Sequence, residues 1–152
     1  MTMKNKMKLL GFAGIEFLLV LPVLAIFLFS IIDFGRLLFQ YDTLTKTARD
    51  ATRYLAQATR PPVYGSDPAY NNTISQVTNL AICGKISNCT TPLVPGLNAG
   101  NIAIDYPASS IAGVTLCRVT ISGYSTSFLT SVFPNTTKDL GSISVTMRQV
   151  QQ

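Results

Sequence analysis

The chain has 152 residues, with 12 lysines and arginines against 7 aspartates and glutamates, three cysteines and no histidine. That length holds one modest domain plus an accessory element, and the lack of histidine removes both the commonest general base and the commonest metal ligand. The net charge of +5 invites a nucleic-acid reading, but the bases do not gather into one surface with aromatic residues between them.

Three lysines and no acid fall within residues 1–11, and five bases stand against three acids in 33–60. The rest of the chain carries four bases and three acids, apart from a lone Glu16. The basicity therefore flanks an apolar run from Leu9 to Ile32, 24 residues interrupted only by Glu16. About 20 apolar residues at helical rise cross a bilayer. Lys4, Lys6 and Lys8 ahead of the run favour a cytoplasmic N-terminus, with Arg36 and Lys46 behind it reducing the bias. A cleavable secretory signal has a shorter core and a small-residue cut site. Here the core is longer and continues without a break into polar helix.

That continuation spaces Leu37, Tyr41, Leu44, Ala48, Ala51, Leu55 and Ala58 in a 4-3 pattern, which keeps one helical face apolar. The opposite face is expected to pair Asp33 with Arg36, Asp42 with Lys46, Lys46 with Asp50 and Asp50 with Arg53, each worth about 0.2–0.5 kcal/mol. Pro22 removes one backbone bond within the span, a loss that membrane helices tolerate. Pro61 and Pro62 place the stop at Arg60. From Phe12 to Arg60 the helix would measure about 73 Å, far more than a bilayer's thickness. The alanines on the seam suggest close contact with something flat, the chain's own globular part being the obvious candidate.

After the prolines, Asp67 followed by Pro68 reads as a helix start with a capping carboxylate. Tyr70, Ile74, Val77 and Ala81 then share a face. Three later stretches alternate as strands do: Ile102, Ile104 and Tyr106; Cys117, Val119 and Ile121; Ile143, Val145 and Met147. Turns are expected at 107–113 and 134–141. The result is an α+β chain, a long helix packed on a small antiparallel sheet covered on one side.

Cys83 and Cys89 enclose five residues, and in an oxidising compartment a bridge between them is the favoured reading. Cys117 falls on the apolar face of its strand, where a buried free thiol is the simplest state, although three cysteines allow three single-bridge pairings. No cofactor or metal is implied: there is no zinc-type spacing and no phosphate-cradling glycine motif. Lys85 and Lys138 are better read as surface lysines than as catalytic bases, and Asp105 has no second carboxylate placed to work with it, so an enzyme is not expected. The sequons at Asn71, Asn88 and Asn135 read as incidental.

The frame around Glu16 is more specific than its charge. "KLLG" followed by "FAGIEF" sets Gly11 five residues before Glu16, with bases upstream and an apolar helix downstream. This resembles the prepilin processing signal. The glycine-to-glutamate spacing, "EF" at Glu16 and Phe17, "LP" at Leu21 and Pro22, "DFGR" at Asp33 to Arg36 and "ARDATRYLA" at Ala48 to Ala56 together resemble the N-terminus of TadE-like proteins, minor pilins (pseudopilins) of the tight-adherence, or Flp, type IV pilus system. Phe12 departs from that family, where small residues are commoner after the cut.

The resemblance implies a pilin-like fold, a leader 1–11, a transmembrane segment 12–32, an amphipathic segment 33–60 and an extracytoplasmic head 61–152. It implies a prepilin peptidase in the inner membrane cutting between Gly11 and Phe12. It further implies a Glu16 carboxylate that meets the new amine of a neighbouring subunit, with other pilin subunits and the assembly platform as partners. The competing expectation is an uncleaved, membrane-tethered module whose head binds a surface or partner. A periplasmic hydrolase is a distant third.

Overall fold

The computed structural model describes residues 3–58, 67–111, 114–128 and 137–150, the side chains of 3–13 and 108–111 excepted. One helix, α1 (Met3–Gln57), runs through the apolar stretch and on into the head without interruption at Pro22. At 1.5 Å per residue it is about 80 Å long. The expected stop at Arg60 lies outside the described residues.

Upper α1 buries Leu44, Ala48, Ala51 and Leu55, the middle of the expected seam. The seam's lower end is different: Tyr41 is exposed and Gln40 is buried. On a helix turning 100° per residue these two side chains flank the Leu44 direction on opposite sides, and the head packs on the Gln40 side. Asp33 is likewise buried rather than on the outer face. Eleven positions before Leu44, it projects within about 20° of the same direction, so helical phase brings it toward the head. Of the expected ion pairs on α1, Lys46–Asp42 closes at 2.7 Å between exposed side chains.

The second helix, α2 (Pro68–Cys83), begins as the capping residues require. Asp67 Oδ1 accepts from the Ala69 amide at 2.8 Å, with Pro68 at the first position. It ends on Gly84 at φ 67°, whose amide donates to the Leu80 carbonyl at 2.9 Å, a left-handed cap that favours glycine. Val77 and Ala81 are buried on its inner face, with Tyr70 and Ile74 partly buried beside them.

The sheet has three antiparallel strands, β1 (Ile102–Ile111), β2 (Val114–Ile121) and β5 (Ile143–Arg148), with β2 central. Its inner face carries Cys117, Val119, Ile121 and Ile143, all buried as alternation predicts. Its outer face is polar: Arg118 Nε donates to Thr146 Oγ1 at 3.1 Å, and Thr120 Oγ1 to Ser144 Oγ at 3.2 Å. A separate ribbon pairs β3 (Ser125–Ser127) with β4 (Thr137–Asp139).

Both expected turns are shorter than the sequence suggests. Strand β1 continues past Pro107 to Ile111, with a register shift between Asp105 and Ser109. Proline is tolerated there because β1 is an edge strand and the pairing is already broken. The 134–141 turn contains β4, whose sequence, Thr-Lys-Asp, has no apolar residue to alternate.

Two apolar clusters hold α1, α2 and the sheet together. One gathers Leu44, Ala48, Ile82, Val94, Leu97, Ile121, Tyr124 and Ile143; the other gathers Ala51, Leu55, Val77, Ala81, Tyr106, Cys117 and Val119. Val94 and Leu97 come from irregular chain, which Tyr124 ties down by donating to the Pro95 carbonyl at 3.0 Å. The C-terminal end is fastened to α1 and β1: the Val150 amide donates to the Ala56 carbonyl at 3.0 Å, and Gln149 Nε2 donates to the Tyr106 hydroxyl.

Candidate functional site in the N-terminal helix

From Gly14 to Ile32 α1 is exposed along its length, apart from half-buried Ala25 and Ser30. The helical stretch Gly14–Gln57 contains an 18-residue window of mean hydropathy 2.8, none of it buried, and is long and apolar enough to cross a membrane. Ser30 Oγ donates to the Ile26 carbonyl at 2.8 Å, so its hydroxyl is satisfied within the helix and adds no open polar group to the apolar surface.

Glu16 sits on this helix with its side chain exposed. Gly11 and Phe12 fall within the helical span, but their side chains lie outside the described residues. Four residues, about one turn, separate Phe12 from Glu16, so a helical backbone puts both on the same side of α1. Apart from their own turn of helix backbone, Gly14 and Gly35 have nothing within 4 Å of where a Cβ would stand.

Cys83 and Cys89 form the disulfide, with Cα atoms 5.5 Å apart, closing the loop that follows α2. Cys117 is free and buried, which settles the pairing. Burial pushes its thiol pKa up, opposed by hydrogen bonds to backbone that include the Met147 carbonyl at 3.3 Å. Burial also raises Tyr124, against a Thr126 hydrogen bond and the charge of Arg36. Asp105 stands opposite Arg118 on the polar face of the sheet. The sequon residues Asn71 and Asn88 are exposed, and Asn135 lies outside the described residues.

Sequence reasoning missed a groove where the helix leaves its apolar stretch, between Ser30–Tyr41 and the β3–β4 ribbon. Its signal was hidden because Lys138 and Asp139 sit in a segment that reads as a turn.

Among the described residues one long apolar helix carries a small α+β head, an arrangement that suggests a membrane anchor. Residues 11–53 match the family model of TadE-like protein, so that stretch is similar to the family that the sequence resembles. No curated protein and no solved structure matches the chain. The match covers the apolar stretch and the first part of the head-packing seam.

Proposed function

We propose that the chain is a minor pilin of the Tad pilus, cut by a prepilin peptidase between Gly11 and Phe12 and assembled through its N-terminal helix for surface adherence. In this reading it crosses the inner membrane once, with residues 1–11 on the cytoplasmic side and the head outside. It serves as a structural subunit, neither enzyme nor cofactor carrier.

The observation that carries the reading is the depth of Glu16. With the outer edge of the hydrocarbon at Ile32, the last residue before Asp33, about 20 residues of helix reach back to Ala13. Glu16 then lies roughly 5 Å inside the apolar layer, and Phe12 lies at its edge. A carboxylate at mid-span costs about 2.5–3.5 kcal/mol on insertion scales, and less near the boundary. Cutting after Gly11 creates an ammonium at that same boundary. Two opposite charges that meet there offset each other's burial, whereas either alone remains costly. When the amine belongs to a neighbouring subunit, the pair fixes the axial register between them.

The test is Glu16→Ala in the native host. Membrane insertion should be unchanged, because the substitution makes the span more apolar, while the number of assembled pili falls. Normal pili in this mutant would remove the role given to the carboxylate.

A further inference from the structure

Each edge of the β1–β2–β5 sheet is a row of backbone groups without a strand beside it. The two edges are not alike. On β1, Pro107 supplies no amide hydrogen, the register shifts between Asp105 and Ser109, and the Tyr70 hydroxyl donates to the Tyr106 carbonyl at 3.4 Å. Strand β5 has no proline and no bulge, and all six of its residues pair in register with β2. The Gln149 amide donates to the Thr115 carbonyl at 2.9 Å, which sets the parity of that ladder. In an antiparallel pair every second residue bonds its partner, so Ile143, Val145 and Met147 turn their amides and carbonyls to β2. Those of Ser144, Thr146 and Arg148 point away from it, and among the described residues they meet no backbone partner.

We infer that the β5 edge receives an extended, acidic peptide segment of a partner protein, added as a fourth strand of this sheet. Strand addition takes its affinity from main-chain hydrogen bonds and its specificity from alternate side chains. On the outer face Ser144, Thr146 and Arg148 are exposed, and Arg148 is the one charged side chain of β5. On α1, Arg49 is exposed and stands seven residues before Ala56, within about 20° of its direction, so it projects toward the side where Ala56 meets Val150. Neither arginine forms an ion pair among the described residues. Both border the added strand, which favours carboxylates there. On the inner face Val145 and Met147 are only half-buried, and apolar side chains of the incoming strand would complete their cover. A second copy of the chain fits poorly. Strand β5 runs in the same sense as α1, from Ile143 in the cluster of Leu44 and Ala48 to the Val150 bond at Ala56. Antiparallel pairing of two β5 edges would therefore point the two α1 helices in opposite directions, which equivalent anchors in one membrane do not do.

The test uses the full chain in detergent micelles and an acetylated peptide of alternating glutamate and valine, with a lysine–valine peptide as control, read by amide hydrogen exchange. In the free chain the Ser144, Thr146 and Arg148 amides should exchange fast, while those of Val145 and Met147, bonded to β2, stay protected. At about ten times its Kd the glutamate peptide should slow the three outward amides about tenfold. The lysine peptide should bind about tenfold more weakly, since like charges replace opposite ones across the pair. Arg148→Glu should reverse that preference, and its place on the surface leaves the fold of the head intact. Thr146→Pro removes an outward amide while sparing the β2 ladder, and should abolish binding without loss of the tyrosine circular dichroism signal. Slow exchange of the outward amides before any peptide is added, no slowing by the glutamate peptide, equal binding of the two peptides, an unchanged preference in Arg148→Glu, or protection that grows with chain concentration alone would each overturn the inference. None of these outcomes bears on the processing of residues 1–11.

Discussion

Leu55→Ala should detach the head from its helix. Leu55 is 0% exposed and packs with Ala51, Val77, Ala81, Tyr106, Cys117 and Val119, so it joins α1 to α2 and to the central strand at once. Truncating a fully buried leucine costs the transfer free energy of the removed carbons plus that of the cavity left behind, about 2–5 kcal/mol. This corresponds to an unfolding equilibrium shifted between about 30-fold and a few thousand-fold. Leu38 on the same helix is the control: it is 51% exposed, and Leu38→Ala should change stability by no more than about 0.5 kcal/mol. The assay is urea unfolding of the full chain in detergent micelles, followed by near-ultraviolet circular dichroism of the tyrosines, since the chain has no tryptophan. Because the span stays helical in the micelle, the tyrosine signal isolates the head. Equal midpoints for the two variants would refute the claim that the head is held on α1 through the Leu44–Leu55 face.

Two further outcomes follow from the cysteines. Replacing Cys83 and Cys89 together by serine should lower head stability by roughly 2 kcal/mol, the loop-closure entropy of a bridge between residues six apart; an unchanged urea midpoint would show that the bridge constrains nothing. Cys117 should resist maleimide at pH 8 in the folded chain and react once urea is added, because burial both blocks access and favours the neutral thiol. The sign of the linkage follows: the folded state holds this proton more tightly than the unfolded chain, so stability is full below the ordinary thiol pKa and declines as the pH rises past it. Rapid labelling of the native protein would contradict the packing of β2.

Periodicity and capping chemistry carried most of the fold. The α1 seam, the Asp67–Pro68 start of α2 and the inner faces of β1, β2 and β5 were readable because burial on one face imposes a period of 3.6 or 2. Elements lacking such a face were not readable. The β3–β4 ribbon is Ser-Thr-Ser against Thr-Lys-Asp, with no apolar residue to set a period, and Val94 and Leu97 enter the core from a segment without regular structure. Burial of Asp33 was missed because pairing at three or four residues was weighed above the phase of the helix relative to the head. The resemblance to a processing signal was drawn for a different reason: a glutamate in an apolar run is costly enough to stand out against any composition.

The N-terminal mass of the protein recovered from native membranes tests the central claim most directly, measured with the prepilin peptidase present and then deleted. Processing requires a chain that starts at Phe12 with the peptidase and keeps residues 1–11 without it. A chain that starts at or near Met1 in both cases would contradict processing, leave Glu16 without its amine, and make the helix a permanent tether for a binding head.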